Sequence, residues 1–309
     1  MFERVIGQEN AKKILETSIK NDSICHAYLF SGPKGVGKTT MATELAMVLN
    51  CENKTGCGTC SSCRRISQGI FADVKMILPD GPSIKINEIR KLSNFIFMSS
   101  YEGKFKVGII QDAEKMREEA ANSLLKTLEE PPKNSIIILT AQNQYAVLPT
   151  ILSRVQKINF HHLAARDIID YLVEHKEATK EEATKIADYC GGSLGKAIEL
   201  QSSEDIKVLF SMATKVIDGL CTFPAHQLLE IASTVGRERK QAARFLELLS
   251  DTLRLKSLKQ EFSMVFGKQY SINQIASILD YIEELKLYIA GYGNSQLAME
   301  GLFIRICRL

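Results

Sequence analysis

The sequence feature that most constrains the fold is a glycine-rich run that matches the pattern G-x-x-x-x-G-K-[ST] at every position. It reads Gly32-Pro33-Lys34-Gly35-Val36-Gly37-Lys38-Thr39, and Thr40 follows it. An apolar segment at residues 27–30 precedes the run, and a helix-like segment at residues 41–49 follows it. This strand–loop–helix order predicts a phosphate-binding loop.

The chemistry of such a loop predicts which ligand it takes. The glycines let backbone N–H groups turn toward a polyphosphate, and the helix amino terminus adds a partial positive charge. We expect Lys38 to reach the β- and γ-phosphates and the Thr39 hydroxyl to bind Mg²⁺. The pattern therefore indicates a site for ATP or ADP with Mg²⁺ that spans residues 32–40, and it says nothing about hydrolysis.

A cysteine cluster follows the predicted loop and helix. Four of the eight cysteines lie close together in the order C-x5-C-x2-C-x2-C, namely Cys51, Cys57, Cys60 and Cys63. In a reducing cytoplasm, such clustering favours a metal site over disulfides, and four thiolates suit a closed tetrahedral Zn²⁺ site. An iron–sulfur cluster and free thiols are the alternatives.

Composition limits the class of protein. The formal net charge of +3 is mildly basic, so it permits a nucleic-acid role without requiring one. The sequence contains no run of about 18 or more apolar residues that would predict a membrane span, and its first residues do not resemble a signal peptide. We therefore expect a soluble cytoplasmic protein with no membrane partner.

The pattern of apolar residues predicts an α/β fold followed by helices. Strands are predicted at residues 28–30, 74–78, 107–110 and 136–139, and helices lie between them at Glu9–Lys20, Ile86–Phe97 and residues 118–128. This alternation favours a parallel sheet with helices on both faces. Short helices are predicted over 164–200 and only helices from 203 onward, with one apolar stripe of Ile275, Leu279, Ile282, Leu285 and Ile289.

A nucleotide site of this kind needs an acidic residue at the end of a second strand. The predicted strand at 107–110 is followed by Gln111 and Asp112. In many relatives of such proteins this position carries Asp-Glu, where Asp holds Mg²⁺ and Glu polarises the attacking water. Gln111 is a poor Mg²⁺ ligand, and Asp112 is shorter than Glu. If the alignment is shifted by one residue, Asp112 becomes the metal ligand and Ala113 stands in the place of the Glu. Either register predicts nucleotide binding with poor hydrolysis.

Several longer blocks resemble the clamp-loader branch of the AAA+ ATPases. They are Glu3-Arg4-Val5-Ile6-Gly7-Gln8-Glu9, His26-Ala27-Tyr28-Leu29-Phe30-Ser31-Gly32, Asn122-Ser123-Leu124-Leu125-Lys126-Thr127-Leu128-Glu129-Glu130-Pro131-Pro132 and Leu148-Pro149-Thr150-Ile151-Leu152-Ser153-Arg154. The resemblance implies a RecA-like AAA+ parallel-sheet domain over 1–161 with a zinc module at about 50–65. It also implies a helical lid domain over 162–203 and an all-α collar domain over 204–309.

The resemblance also implies site residues. Ser153-Arg154 is similar to the family's Ser-Arg-Cys motif, with Val155 in place of Cys, so Arg154 is implied to be an arginine finger that acts on a neighbouring subunit. Thr140 lies where the family keeps a polar γ-phosphate sensor. Gly195 stands where the ATPase subunits of this branch place a phosphate-sensing Arg.

The branch contains subunits that hydrolyse ATP and subunits that do not, and Gln111-Asp112 and Gly195 favour the second type. The implied partners are the delta and tau/gamma subunits in a hetero-pentamer, the sliding clamp by weak or indirect contact, and primer–template DNA. Two alternatives stay open: a catalytically active ATPase subunit of the tau/gamma type, and a nucleotide-switched AAA+ adaptor outside replication.

Overall fold

The computed structural model describes residues 1–176, 178–258, 265–267 and 269–309. Two compact units make up the chain. The first comprises Met1–Tyr171 and Gly192–Lys196, and the second comprises Leu172–Gly191 and Ala197–Leu309. Every site residue predicted from the sequence falls in the first unit.

A five-stranded parallel sheet forms the centre of the first unit, with strand order β2-β3-β4-β1-β5. The strands are β1 (Ala27–Ser31), β2 (Val74–Ile77), β3 (Lys106–Ile110), β4 (Ser135–Ala141) and β5 (Gln156–Asn159). Every residue of β1, β3 and β4 is buried. Strands that are covered on both faces lose the polar–apolar alternation of half-exposed strands, which is why they appear in the sequence as continuous apolar runs.

Helices cover the sheet of the first unit on both faces. They are α1 (Glu9–Lys20), α2 (Lys38–Asn50), α3 (Ser61–Ser67), α4 (Ile86–Phe97), α5 (Glu118–Glu129) and α6 (Pro149–Leu152), with 3-10 turns at Ala113–Lys115 and Gln144–Ala146. One apolar core joins α2 to Tyr28 and Phe30 of β1. A second core joins α4 and α5 to Leu29, so alternate residues of β1 serve opposite faces.

A buried ion pair joins the amino ends of β2 and β3. Asp73 is fully buried, and its carboxylate accepts backbone N–H groups from Tyr101, Glu102 and Gly103 at 2.7–3.0 Å. Its Oδ1 also lies 3.2 Å from Nζ of Lys106, a side chain that is 7% exposed. The pair therefore fixes the loop that leads into β3.

The second unit is helical in its described residues. Its helices are α8 (Lys180–Cys190), α10 (Glu204–Gly219), α11 (Ala225–Gly236), α12 (Arg239–Leu258), α13 (Ile272–Ala290) and α14 (Ser295–Arg308), while α7 (Ala165–Lys176) and α9 (Leu194–Ser202) have residues in both units. Phe245 and Phe303 meet edge to face at 6.3 Å in its core. The buried hydroxyl of Tyr189 donates to the carbonyl of Leu248 at 2.5 Å.

The sequence predictions of secondary structure agree with this fold in most places. Both ends of the predicted helices Glu9–Lys20 and Ile86–Phe97 are confirmed. Besides the 3-10 turns, three elements were not predicted: α3, which is short and polar, α6, which has only four residues, and β5, in which only Ile158 is buried. In the stripe on α13, Ile278 is buried while Leu279 is only half-buried. No helix among the described residues combines the length and apolarity that crossing a membrane requires.

Candidate nucleotide site and cysteine cluster

The predicted phosphate loop lies at the carboxyl end of β1 and runs into α2. The backbone N–H of Gly32 donates to the carbonyl of Ala141 at the end of β4, which holds the start of the loop against the neighbouring strand. Gly37 has φ 97° at the amino end of α2, a conformation that side chains with a Cβ rarely adopt. The loop thus has the strand–loop–helix geometry that the sequence predicts.

Lys38 is the cation of this loop, and it is only 7% exposed. Its ammonium donates to the carbonyls of Gly32 and Pro33, both at 2.6 Å, and no carboxylate among the described residues forms an ion pair with it. Burial lowers the pKa of Lys38, while the charges of Glu114 and Asp112 oppose that shift. A buried ammonium held only by neutral carbonyls is suited to an anionic ligand, because phosphate oxygens would supply the missing countercharge.

Asp112, the acid that the sequence predicts for this site, lies just beyond β3 in the left-handed conformation, with φ 50°. Its Oδ2 is 3.1 Å from Nζ of Lys115, so its charge is already paired. Its backbone N–H donates to the hydroxyl of Thr140 at 3.2 Å, and Thr140 itself is buried in β4. The structure therefore brings Asp112 and Thr140 together at the carboxyl edge of the sheet.

Glu114 is a residue of this edge that the sequence analysis missed. Its Oε1 accepts the backbone N–H of Gln142, just beyond β4, at 3.0 Å. Its Oε2 is buried and has no hydrogen-bond partner among the described residues. Glu114 and Asp112 both raise the pKa of Lys38 against the larger effect of burial, and Glu114 has the stronger effect of the two. The sequence offered one signal for Glu114, namely that it is an acidic residue two positions after Asp112. The fold turns Glu114 back toward the end of β4.

The segment Gly192–Lys196 packs on the phosphate loop within the first unit. The N–H of Gly195 donates to the carbonyl of Gly35 at 2.8 Å, and the hydroxyl of Ser193 donates to the carbonyl of Lys34 at 2.9 Å. A Cβ at position 195 would lie 2.9 Å from Cα of Gly35, closer than real Cβ contacts allow. A larger residue at 195, such as Arg, is therefore incompatible with this contact.

Arg154 lies apart from the loop, between α6 and β5, with 34% of its side chain exposed. One terminal nitrogen donates to the carbonyl of Thr150 at 2.8 Å and to the hydroxyl of Ser153 at 3.1 Å. The other lies 2.6 Å from Oε1 of Glu129, at the end of α5. The guanidinium is thus oriented by backbone and carboxylate oxygens while it stays accessible to solvent.

The cysteine cluster brings together the thiols of Cys51, Cys57, Cys60 and Cys63, whose sulfur atoms all lie within 4.8 Å of one another. The sulfur atoms of Cys51 and Cys57 are 3.7 Å apart. Tetrahedral zinc with Zn–S bonds of about 2.3 Å needs sulfur pairs roughly 3.8 Å apart, so the cluster fits a zinc ion. The backbone N–H groups of Cys60 and Cys63 point at the sulfurs of Cys57 and Cys60, at 3.4 and 3.5 Å.

The surroundings of the sulfurs shift the pKa values of the thiols. Burial raises the pKa of Cys51, but hydrogen bonds from the backbone of Cys57, Thr55 and Asn53 lower it to about 5. Burial raises the pKa of Cys63. A metal ligand must be the thiolate, and the backbone hydrogen bonds to Cys51 favour that form.

Comparison with known proteins gives a consistent result. A protein-family model described as DNA polymerase III, delta subunit, matches residues 7–164. DNA polymerase III subunit delta' of Bacillus subtilis (strain 168) is 36% identical over 200 residues, which are 64% of this chain and 60% of that protein. DNA polymerase III subunit tau of Escherichia coli (strain K12) is 32% identical over 315 residues, 97% of this chain and 46% of that protein.

A solved structure supports the fold. The gamma subunit-related protein of DNA polymerase III from Thermotoga maritima covers 95% of this chain and 98% of its own, with a TM-score of 0.52 and 20% sequence identity. The predicted α/β fold class and the resemblance to clamp-loader subunits are confirmed. The chain spans 60% or less of these two curated relatives, and both delta' and tau are among the proteins it resembles.

Proposed function

We propose, from the premise that this chain belongs to the DNA polymerase III, delta subunit family, that it is a delta-prime type subunit of a bacterial clamp loader. In this role it helps to load the sliding clamp onto primed DNA while its neighbours hydrolyse ATP. One observation carries the choice of subunit type: the acid after β3 is Asp112, preceded by Gln111 and already paired with Lys115. Without an Asp-Glu pair at this edge, the pocket lacks the group that would orient an attacking water.

The proposal includes two bound groups. The loop from Gly32 to Thr40 would hold ATP or ADP with Mg²⁺, which supplies charge that stabilises the pocket. The buried Lys38, held by two neutral carbonyls, supports phosphate binding. The sulfurs of Cys51, Cys57, Cys60 and Cys63 would hold Zn²⁺, a structural ion with no open position for chemistry.

Arg154 is the residue that we propose this chain donates to a neighbour. Its contact with Glu129 is an exposed ion pair, and such pairs contribute about 0–1 kcal/mol. The guanidinium can therefore exchange this carboxylate for a phosphate at little energetic cost. An arginine supplied in this way accelerates phosphoryl transfer by about 10³–10⁵ at the site it enters.

The proposed partners are the delta and tau/gamma subunits in a hetero-pentamer, the sliding clamp and primer–template DNA. We assign residues 1–161 to the nucleotide-binding domain, 162–203 to a lid and 204–309 to a collar that joins the subunits. The helical character of the described residues after 203 supports the last assignment.

The experiment reconstitutes the clamp loader with and without Arg154→Ala in this chain. We expect the variant to assemble normally. The ATPase activity of the complex should fall by the fraction of the total activity that comes from the site that Arg154 enters. Arg166→Ala is the matched control, because Arg166 lies on α7 with an 89% exposed side chain and should leave the activity unchanged. Equal activity of the Arg154 and Arg166 variants would contradict the role of Arg154 as an arginine finger.

The intact phosphate loop favours one rival, a catalytically active tau/gamma type subunit. This rival predicts that the isolated chain turns over ATP and that Lys38→Ala abolishes the turnover. The proposal predicts saturable nucleotide binding by the isolated chain with turnover no higher than that of the Lys38 variant.

A further inference from the structure

Two carboxylates stand at the carboxyl edge of the sheet beside the phosphate loop, and their surroundings differ. Asp112 is engaged by Lys115 at 3.1 Å. Glu114 uses one oxygen to accept the N–H of Gln142 at 3.0 Å, and its second oxygen is buried without a hydrogen-bond partner among the described residues. A buried carboxylate oxygen without a donor is unfavourable unless a ligand or ordered water completes it.

The fold places Glu114 near the start of the predicted phosphate loop. Glu114 lies in the 3-10 turn Ala113–Lys115 that follows β3, and Gln142 follows β4. The carbonyl of Ala141, next to Gln142, holds the N–H of Gly32 at the start of the phosphate loop. Burial lowers the pKa of Lys38, and of the two acids whose charges oppose that shift, Glu114 has the larger effect on the pKa. Glu114 is therefore part of the same polar edge of the sheet as the loop.

We propose that Glu114, and not Asp112, is the acidic residue that positions magnesium in this pocket. Its Oε2 would hold the hydrated magnesium ion of a bound nucleotide, while its Oε1 keeps the hydrogen bond from Gln142. Mg²⁺ keeps several of its waters when it binds with a nucleotide, so a carboxylate that receives water rather than the metal suits it. This inference rests on the nucleotide binding in the proposed function and adds the residue that makes it magnesium-dependent.

The role differs from that of a hydrolytic acid. Glu114 is held at its Oε1 by the backbone of Gln142, so it can orient a hydration shell without swinging toward an attacking water. A pocket with such a residue retains its nucleotide in the presence of Mg²⁺ and releases phosphate slowly. That behaviour matches a subunit whose nucleotide stabilises its structure.

The experiment measures the affinity of the full chain for fluorescently labelled ATP and ADP by anisotropy, with Mg²⁺ and with a chelator. Glu114→Gln keeps an oxygen for the N–H of Gln142 and replaces the free oxygen with an amide donor. We expect the Mg²⁺-dependent gain in affinity to fall about 10-fold or more, as for other residues that hold metal-bound water. Affinity without Mg²⁺ should stay the same or rise. Glu114→Asp should restore part of the gain.

One control variant and one comparison variant make the outcome specific. Glu118→Gln removes an exposed charge at the start of α5 and should leave the Mg²⁺ dependence unchanged. Asp112→Asn should reduce the Mg²⁺ dependence less than Glu114→Gln does, because Asp112 is already paired with Lys115. If Asp112→Asn removes the dependence and Glu114→Gln does not, the inference is wrong while nucleotide binding stands. If the unmodified chain binds neither nucleotide, the inference and the nucleotide-binding part of the proposed function both fall. If circular dichroism shows that Glu114→Gln does not fold, the test uses Glu114→Asp, for which we expect a smaller loss of the Mg²⁺-dependent gain in affinity.

Discussion

Asp73→Asn tests how much of the first unit depends on a single buried carboxylate. Asp73 is fully buried, and its Oδ2 accepts the N–H groups of Glu102 and Gly103 at 2.8 and 2.7 Å. Its Oδ1 neutralises Lys106 at 3.2 Å. Asparagine has the same shape but turns one oxygen into a donor, which then faces N–H groups, and it removes the charge opposite Lys106. We expect the free energy of unfolding to fall by about 3–5 kcal/mol.

Urea unfolding followed by far-ultraviolet circular dichroism measures this loss, since the chain has no tryptophan. Because the chain has two compact units, hydrogen exchange of the amides at 101–103 locates the effect in the first. Asp80→Asn is the matched control: Asp80 and Lys85 form an ion pair at 2.6 Å with side chains that are 74% and 61% exposed, so its loss should cost about 1 kcal/mol or less. Equal losses in the two variants would refute the reasoning.

The same carboxylate gives the stability a pH dependence. Burial raises the pKa of Asp73, but the N–H groups of Glu102, Gly103 and Tyr101 and the ammonium of Lys106 lower it below its ordinary value. A folded-state pKa below the unfolded one gives stability that is present above the unfolded value, about 3.9, and lost as the pH falls through the folded value. The difference between the unmodified chain and Asp73→Asn should therefore shrink below about pH 4.

Two further substitutions test the cysteine cluster and the contact on the phosphate loop. Cys60→Ser should lose the zinc that metal analysis finds in the unmodified chain, and proteolysis near 50–65 should accelerate; full zinc occupancy in the variant would contradict the site. Gly195→Ala should lower the free energy of unfolding by about 1–3 kcal/mol, because its Cβ would meet Cα of Gly35 at 2.9 Å. Its control, Gly301→Ala in the middle of α14, meets only the hydroxyl of Tyr281 at 3.6 Å. It should instead raise the melting temperature, and a parallel rise in the Gly195 variant would count against the contact.

The sequence by itself determined the features that depend on neighbours along the chain. The phosphate loop is a local conformation that its glycines permit, and α4 follows from apolar residues at helical spacing. The four cysteines also lie within a short segment, so their spacing alone indicated a shared site. Each of these arises from residues whose contacts lie within a few positions of one another.

Only the tertiary structure decided which acid beside the predicted phosphate loop has an oxygen without a hydrogen-bond partner among the described residues. Asp112 and Glu114 are two positions apart in the sequence, yet their side chains have different partners. Asp112 is paired with Lys115, whereas Glu114 accepts the N–H of Gln142 with one oxygen and has no partner for the other within the part of the chain that the structure describes. The family resemblance likewise identified Gly195 only as a position where the ATPase subunits have an arginine, whereas the fold shows that it packs against Gly35. These properties depend on which residues the crossovers between parallel strands bring to one edge of the sheet, and no spacing along the chain encodes those contacts.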